Sequence, residues 1–181
     1  RGTGGIHTVF PKKGADFDWE DDRLPAVPAQ DCIIYKIHPR GFTKHASSGL
    51  SPEKRGTFEG VIEKISYLKA LGITTLEMMP PVEFNEIIFP EKSEIFGLPQ
   101  GMRREDQEER HSHTEPVKLN YWGYCSGCYF APKASYCSSG DPSAEFKRMV
   151  KALHHAGIEL VIELYFDGSE APGYVLDVVR F

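Results

Sequence analysis

The sequence predicts an α/β fold, a partial (β/α)8 barrel made of the first three βα units behind an irregular N-terminal linker, on three observations. Short apolar runs rich in β-branched residues alternate with amphipathic helical patterns, in the order strand, helix, strand, helix, strand. Each helical pattern closes at a glycine and the next strand follows at once. A complete barrel of this kind takes about 250 residues, and the chain has 181. It opens on Arg1 and ends at Phe181 inside an apolar pattern, so the expectation is a portion of a longer polypeptide. Reactive groups of such barrels sit on loops at the carboxyl ends of all the strands, so this chain alone is not expected to be active.

Residues 1–30 carry Pro and Gly-Gly interruptions and the acidic cluster Asp16 to Asp22 without any sustained period, which predicts a linker or tail, with Trp19 as its apolar contact. The barrel portion then covers 31–181. Cys32 to Ile37 fits a buried parallel strand, and His38-Pro39-Arg40-Gly41 its outgoing loop. Thr57 can cap a helix whose stripe is Phe58, Val61, Ile62, Ile65, Leu68 and Leu71, with Gly72 as its stop. Ile73 to Met79 returns to strand character before Pro80-Pro81. In the second crossover Asp141 is the N-cap, Pro142 suits the first helical position and Glu145 the first turn. Phe146, Met149, Val150 and Leu153 form the stripe, Gly157 ends it, and Ile158 to Phe166 is the third strand. Pro172 to Phe181, with Tyr174, Val175, Val178 and Val179 on one side, opens a third helix.

Between the second strand and its helix lie about sixty residues, too many for an ordinary connection. An irregular insertion is predicted at about 82–119. Its charge run, Arg103 to Arg110, reads as a solvated loop or short surface helix. Its far end differs, because Tyr121, Trp122, Tyr124, Tyr129 and Phe130 place five rings within ten residues.

Composition narrows the function. The chain is 40% hydrophobic and 26% charged with a formal charge of -5, which offers no basic surface for phosphates and argues against nucleic acid as a partner. No window approaches a membrane-spanning apolar run, and no secretion signal opens the chain, although one could have been removed. Four cysteines are too few for a disulfide scaffold, so reduced thiols and a cytoplasmic setting are expected. No membrane partner and no cofactor are expected.

Five separated segments, in order, carry a family resemblance: Tyr35-Lys36-Ile37-His38-Pro39-Arg40-Gly41-Phe42-Thr43, Leu68 to Thr74, Asn120-Tyr121-Trp122-Gly123-Tyr124 with Phe130-Ala131-Pro132, Glu145 to Val150, and His155 to Glu159. Together they resemble the α-amylase superfamily of glycoside hydrolases, within it the isoamylase, pullulanase and glycogen-debranching branch. The resemblance implies a retaining α-glucan hydrolase, acting on α-1,6 branch linkages of glycogen or starch-like polymers. Such chemistry holds a nucleophilic carboxylate and an acid/base carboxylate about 5 Å apart. The family's catalytic carboxylates fall after its fourth, fifth and seventh strands, beyond Phe181, so no catalytic residue is assigned here.

The resemblance also names the candidate substrate-binding residues. Tyr124 matches the family tyrosine that stacks on the sugar just before the scissile bond, where an aromatic face covers the C–H side of a pyranose. Trp122 joins it as a candidate, and Trp122 and Tyr121 also read as its packing support. In the family's Asp-x-x-x-Asn-His motif at the end of strand three, Glu163 stands at the Asp, Asp167 at the Asn and Gly168 at the His. All three depart from the pattern. Period two places Glu163, Tyr165 and Asp167 on one strand face, where the carboxylates could converge on a ligand. The structural alternative makes Glu163 a satisfied hydrogen-bond acceptor and Asp167 an Asx turn. These departures keep a second reading open, a non-catalytic carbohydrate-binding or regulatory homologue; a transglycosidase is a third.

Cys125, Cys128 and Cys137 with His111 and His113 have zinc-ligand types, but a single CxxC with irregular partners is a weak pattern and no metal is assigned. His154-His155 suit a helix C-terminus. Arg40 sits on the functional rim of any such barrel, and the role expected of it is an ion pair with a carboxylate from a neighbouring loop. Composition fixes no oligomeric state. An open barrel edge predicts association or partial disorder unless more polypeptide covers it.

Overall fold

The computed structural model describes residues 17–88, 118–125 and 127–166. In chain order its elements are β1 (Ile34–Ile37), α1 (Gly41–Lys44), α2 (Phe58–Glu63), α3 (Ile65–Ala70), β2 (Thr75–Met78), β3 (Val82–Phe84), β4 (Ile87–Ile88), β5 (Lys118–Leu119), β6 (Gly127–Pro132), α4 (Pro142–His155) and β7 (Glu159–Ile162). β1, β2 and β7 form one parallel sheet with β2 in the middle. Lys36 stands opposite Glu77, and Glu77 opposite Val161.

Alternation along a strand divides this sheet into two faces. Ile37, Leu76 and Met78 point to the helices, where Phe58, Val61, Leu68, Met149, Leu153 and Ile158 complete a buried core. Burying each of the larger side chains contributes about 1.5–3 kcal/mol relative to leaving it exposed. Lys36, Glu77 and Val161 share the opposite face.

The capped ends form as their residue types dictate. Thr57 accepts from the Gly60 N–H at 3.1 Å, and Asp141 from the Ala144 N–H at 2.9 Å. Glu145, in the first turn of α4, is fully buried and has more partners than a first-turn acid needs. It accepts from the N–H groups of Glu59, Ser138 and Ser139 and from the Cys137 thiol. Burial pushes its pKa up, but those donors win and hold it down at about 2.

The structure corrects several expectations. The first strand starts at Ile34, not Cys32, because the Ile33 N–H turns to the Thr74 hydroxyl. β1 is also an edge rather than a buried strand, with Ile34 58% exposed. The single helix expected from Thr57 to Leu71 is two, joined at Lys64, where φ and ψ are -97° and 2° and the ammonium reaches back to the Ser48 carbonyl at 2.6 Å. The third strand ends at Ile162, four residues early, because β2 stops at Met78 and only the Glu163 N–H finds a further acceptor there.

The insertion is not irregular at its ends. β3 pairs antiparallel with β6, and β4 with β5. The charge run at 103–110, His111, His113, Asp167, Gly168 and the helix expected over 172–181 lie outside the described residues. In the N-terminal segment a 3-10 turn, Ala29–Asp31, is the only regular element among the described residues. That segment is nonetheless held down: Glu20 pairs with Lys151 at 2.7 Å, Asp22 with His154 at 2.9 Å, and Glu159 accepts from the Val27 N–H at 2.8 Å. His154 therefore has a carboxylate partner besides the helix end. Trp19 borders an apolar groove with Phe146 and Val150 while remaining 38% exposed, so these polar pairs share the tethering with it.

Candidate functional site

Residues that follow β1 and β7, His38 and Glu163, meet the loop 120–125. His38 follows β1 and is buried. Its Nδ1 accepts from the Gly41 N–H at 2.9 Å, which leaves the proton on Nε2 for donation to the Tyr121 carbonyl at 2.7 Å. Burial, reinforced by the charge of Arg40, lowers its pKa and keeps the imidazole neutral, outweighing the upward pull of the Tyr121 carbonyl. The ring stacks flat on Tyr121, centroids 4.1 Å apart and planes 8° from parallel, and Trp122 meets both rings edge-on. Gly41 is required beneath this stack, since a Cβ there would lie 2.5 Å from the Tyr121 hydroxyl oxygen.

The loop closes on itself through Asn120. Its side-chain oxygen accepts from the Gly123 N–H at 3.2 Å and its amide donates to the Cys125 sulfur at 3.1 Å. Gly123 has φ of +75°, and a Cβ there would lie 2.6 Å from the Phe84 ring. The loop therefore rests on the buried Phe84, over which the Lys133 ammonium sits 4.3 Å from the ring centroid.

Tyr124 leaves this loop toward the end of β7, where its phenol lies beside the Glu163 carboxylate. Burial, then Glu163, raises the phenol pKa. Lys36 Nζ lies 2.6 Å from Glu163 Oε2 and 3.3 Å from Glu77 Oε1. The Lys36 ammonium is the chief cause that lowers the Glu163 pKa, and Glu163 in turn raises that of Lys36.

Beside this cluster Arg40 donates to Glu86 at 2.7 Å and to Ser135 at 2.8 Å, so it makes the expected tie to a neighbouring loop. Burial would raise the Glu86 pKa; Ser135, Lys133 and Arg40 override it and lower it. Lys133, itself buried, pairs with Glu83 at 2.6 Å.

Of the sequence candidates, the structure thus brings Tyr124 and Glu163 together. Trp122, 54% exposed, stands at the rim edge-on to His38 and Tyr121. Asp167 lies outside the described residues. Cys125 and Cys137 are engaged separately, with Asn120 and Glu145. Lys36 and His38 were not among the candidates. For Lys36 the available signal was a lone charge inside an apolar strand, in phase with the face that carries Glu163.

No protein-family model matches the chain. The comparisons define a class first: the fold is similar to the catalytic module of the pneumococcal glycogen-degrading virulence factor SpuA, with a TM-score of 0.58 and 25% identity over 87% of this chain and 21% of that one. It is similar also to the group B Streptococcus pullulanase SAP solved with maltotetraose, with a TM-score of 0.55 and 25% identity over 85% and 18%. In sequence it is 36% identical to isoamylase 3 of Oryza sativa subsp. japonica over 83% of this chain. It is 33% identical to the glycogen operon protein GlgX homologue of Haemophilus influenzae over 85%. The chain is a homologue of the isoamylases and GlgX proteins, within the α-amylase superfamily. It spans 18% of that isoamylase and 20% of that GlgX homologue. Among the described residues no helix is long and apolar enough to cross a membrane.

Proposed function

We propose that this chain supplies part of the sugar-binding rim of an α-1,6-debranching glycoside hydrolase acting on glycogen, starch or pullulan by a retaining mechanism. In this reading 31–181 are the opening βα units of a (β/α)8 barrel and 1–30 a linker into it. The observation that carries it is the meeting of Tyr124 and Glu163 at the carboxyl end of β7, in a homologue of isoamylases. The Tyr124 face covers the apolar side of a glucose ring while the Glu163 carboxylate accepts from its hydroxyls. Trp122 extends the aromatic surface, and Asp167 contributes a second carboxylate. The chain binds and orients substrate, and the carboxylates that attack and protonate belong to other strands.

The test is turnover by the full-length protein. Hydrolysis of pullulan in preference to linear amylose, with the anomeric configuration of the product retained, supports the proposal. Hydrolysis of amylose with pullulan untouched overturns the linkage assignment.

One observation favours a second reading, a glucan-binding homologue without chemistry. Glu163, at the family's Asp position, is already neutralised by Lys36 at 2.6 Å. Retained glucan binding by the full-length protein with no release of reducing sugar from either polymer would select this reading.

A further inference from the structure

Lys36 belongs to none of the roles given above, yet from the edge strand β1 it reaches across the open sheet face. Its register partner is Glu77, and Glu163 lies two residues beyond Val161, the register partner of Glu77. Both carboxylates are within ion-pair reach of the one lysine nitrogen, so they are close enough to each other to repel. The lysine ammonium stands between them, at 3.3 Å from one and 2.6 Å from the other.

We infer that Lys36 is a positioning residue for the glucan-contacting pair, holding the Glu163 carboxylate inward beside the Tyr124 phenol and so fixing the carboxylate and ring that the sugar meets; this inference rests on the proposed function. Lys36 is not itself a sugar contact, because its ammonium is already engaged by two carboxylates. Its aliphatic stem lies along the strand face while the charged end reaches the rim. Without the cation, Glu77 and Glu163 face each other uncompensated, and Glu163 relaxes toward water. The Tyr124 phenol then loses its carboxylate neighbour, and the ring is free to rotate before sugar arrives. Preorganisation, rather than a lost contact, is what the lysine supplies.

The groups that face Glu163 are Lys36 from β1, Glu77 from β2 through that lysine, and the Tyr124 phenol from the loop. Of these only Lys36 is a cation. Its removal therefore lets Glu163 take up a proton at a higher pH than in the wild type.

The experiment is calorimetric titration of maltotetraose into the full-length protein from neutral pH down through the carboxylate range, with Lys36→Met, Lys36→Arg and Tyr124→Ala compared. Lys36→Met is expected to weaken binding about fivefold and to move the acid loss of binding to higher pH, while Lys36→Arg restores both. If Tyr124→Ala weakens binding and Lys36→Met leaves affinity and pH profile unchanged, the inference fails and the proposed site stands. If Lys36→Met weakens binding and Lys36→Arg does not restore it, charge is not the cause and the inference fails. If neither Tyr124→Ala nor Lys36→Met changes affinity, the proposed site fails and the inference falls with it.

Discussion

The imidazole of His38 lies flat against the phenol ring of Tyr121, 4.1 Å between centroids, while its Nε2 donates to the backbone carbonyl of the same tyrosine at 2.7 Å. One side chain thus grips the loop 120–125 by its ring and by its backbone together.

Replacing His38 with alanine removes the stack and leaves the half-buried Tyr121 carbonyl without its donor. The expected destabilisation is about 2–3 kcal/mol, read by chemical denaturation. The pH dependence has a definite sign. The folded pKa lies below the ordinary 6.5, so the unfolded chain binds this proton more readily. The His38 contribution is therefore complete above 6.5 and diminishes as pH falls from there to the folded value. His38→Gln should abolish that segment of the stability profile.

Gly123 holds φ of +75° with Phe84 beneath it. Gly123→Ala is expected to lose about 1–2 kcal/mol from the left-handed backbone alone, with the clash against Phe84 added. Phe84→Leu in the same chain should relieve only the clash, so thermal melts of the single and double variants separate the two causes.

Glu145 is fully buried and its carboxylate gathers backbone donors from α2 and from the turn before α4. Glu145→Gln keeps the shape, loses the charge and turns an amide toward N–H groups, which is expected to cost about 2–3 kcal/mol. The folded pKa is about 2, against an ordinary 4.5. Its contribution is therefore present above 4.5 and lost as pH falls toward 2. Comparing melting temperatures of the two proteins across that range checks it: the gap should close on acidification.

The sheet and its helices were legible because burial imposes period on sequence. Phe58 and Val61 on α2 and Leu68 on α3 were read from one apolar period, Met149 and Leu153 on α4 from another, and all five are buried, although the first period does not show the break at Lys64. The ribbons β3/β6 and β4/β5 were not legible. With two or three residues, β3, β4 and β5 are too short to show alternation, and the pairing of β3 with the longer β6 shifts register between Val82 and Glu83. At the site, Tyr124 and Glu163 came from the family pattern, and their proximity needed coordinates. The His38 contact with Tyr121 spans 83 residues, a separation on which no local pattern reports. Lys36 stayed hidden because a single lysine in an apolar strand acquires meaning only once strand register sets it beside Glu77 and Glu163.

The most direct measurement of the central claim is a crystal structure of the full-length protein with maltotetraose bound. The account predicts a pyranose ring against the Tyr124 face, with a sugar hydroxyl within about 2.5–3.0 Å of a Glu163 oxygen. Maltotetraose bound at the carboxyl ends of the strands with neither Tyr124 nor Glu163 in contact would contradict it.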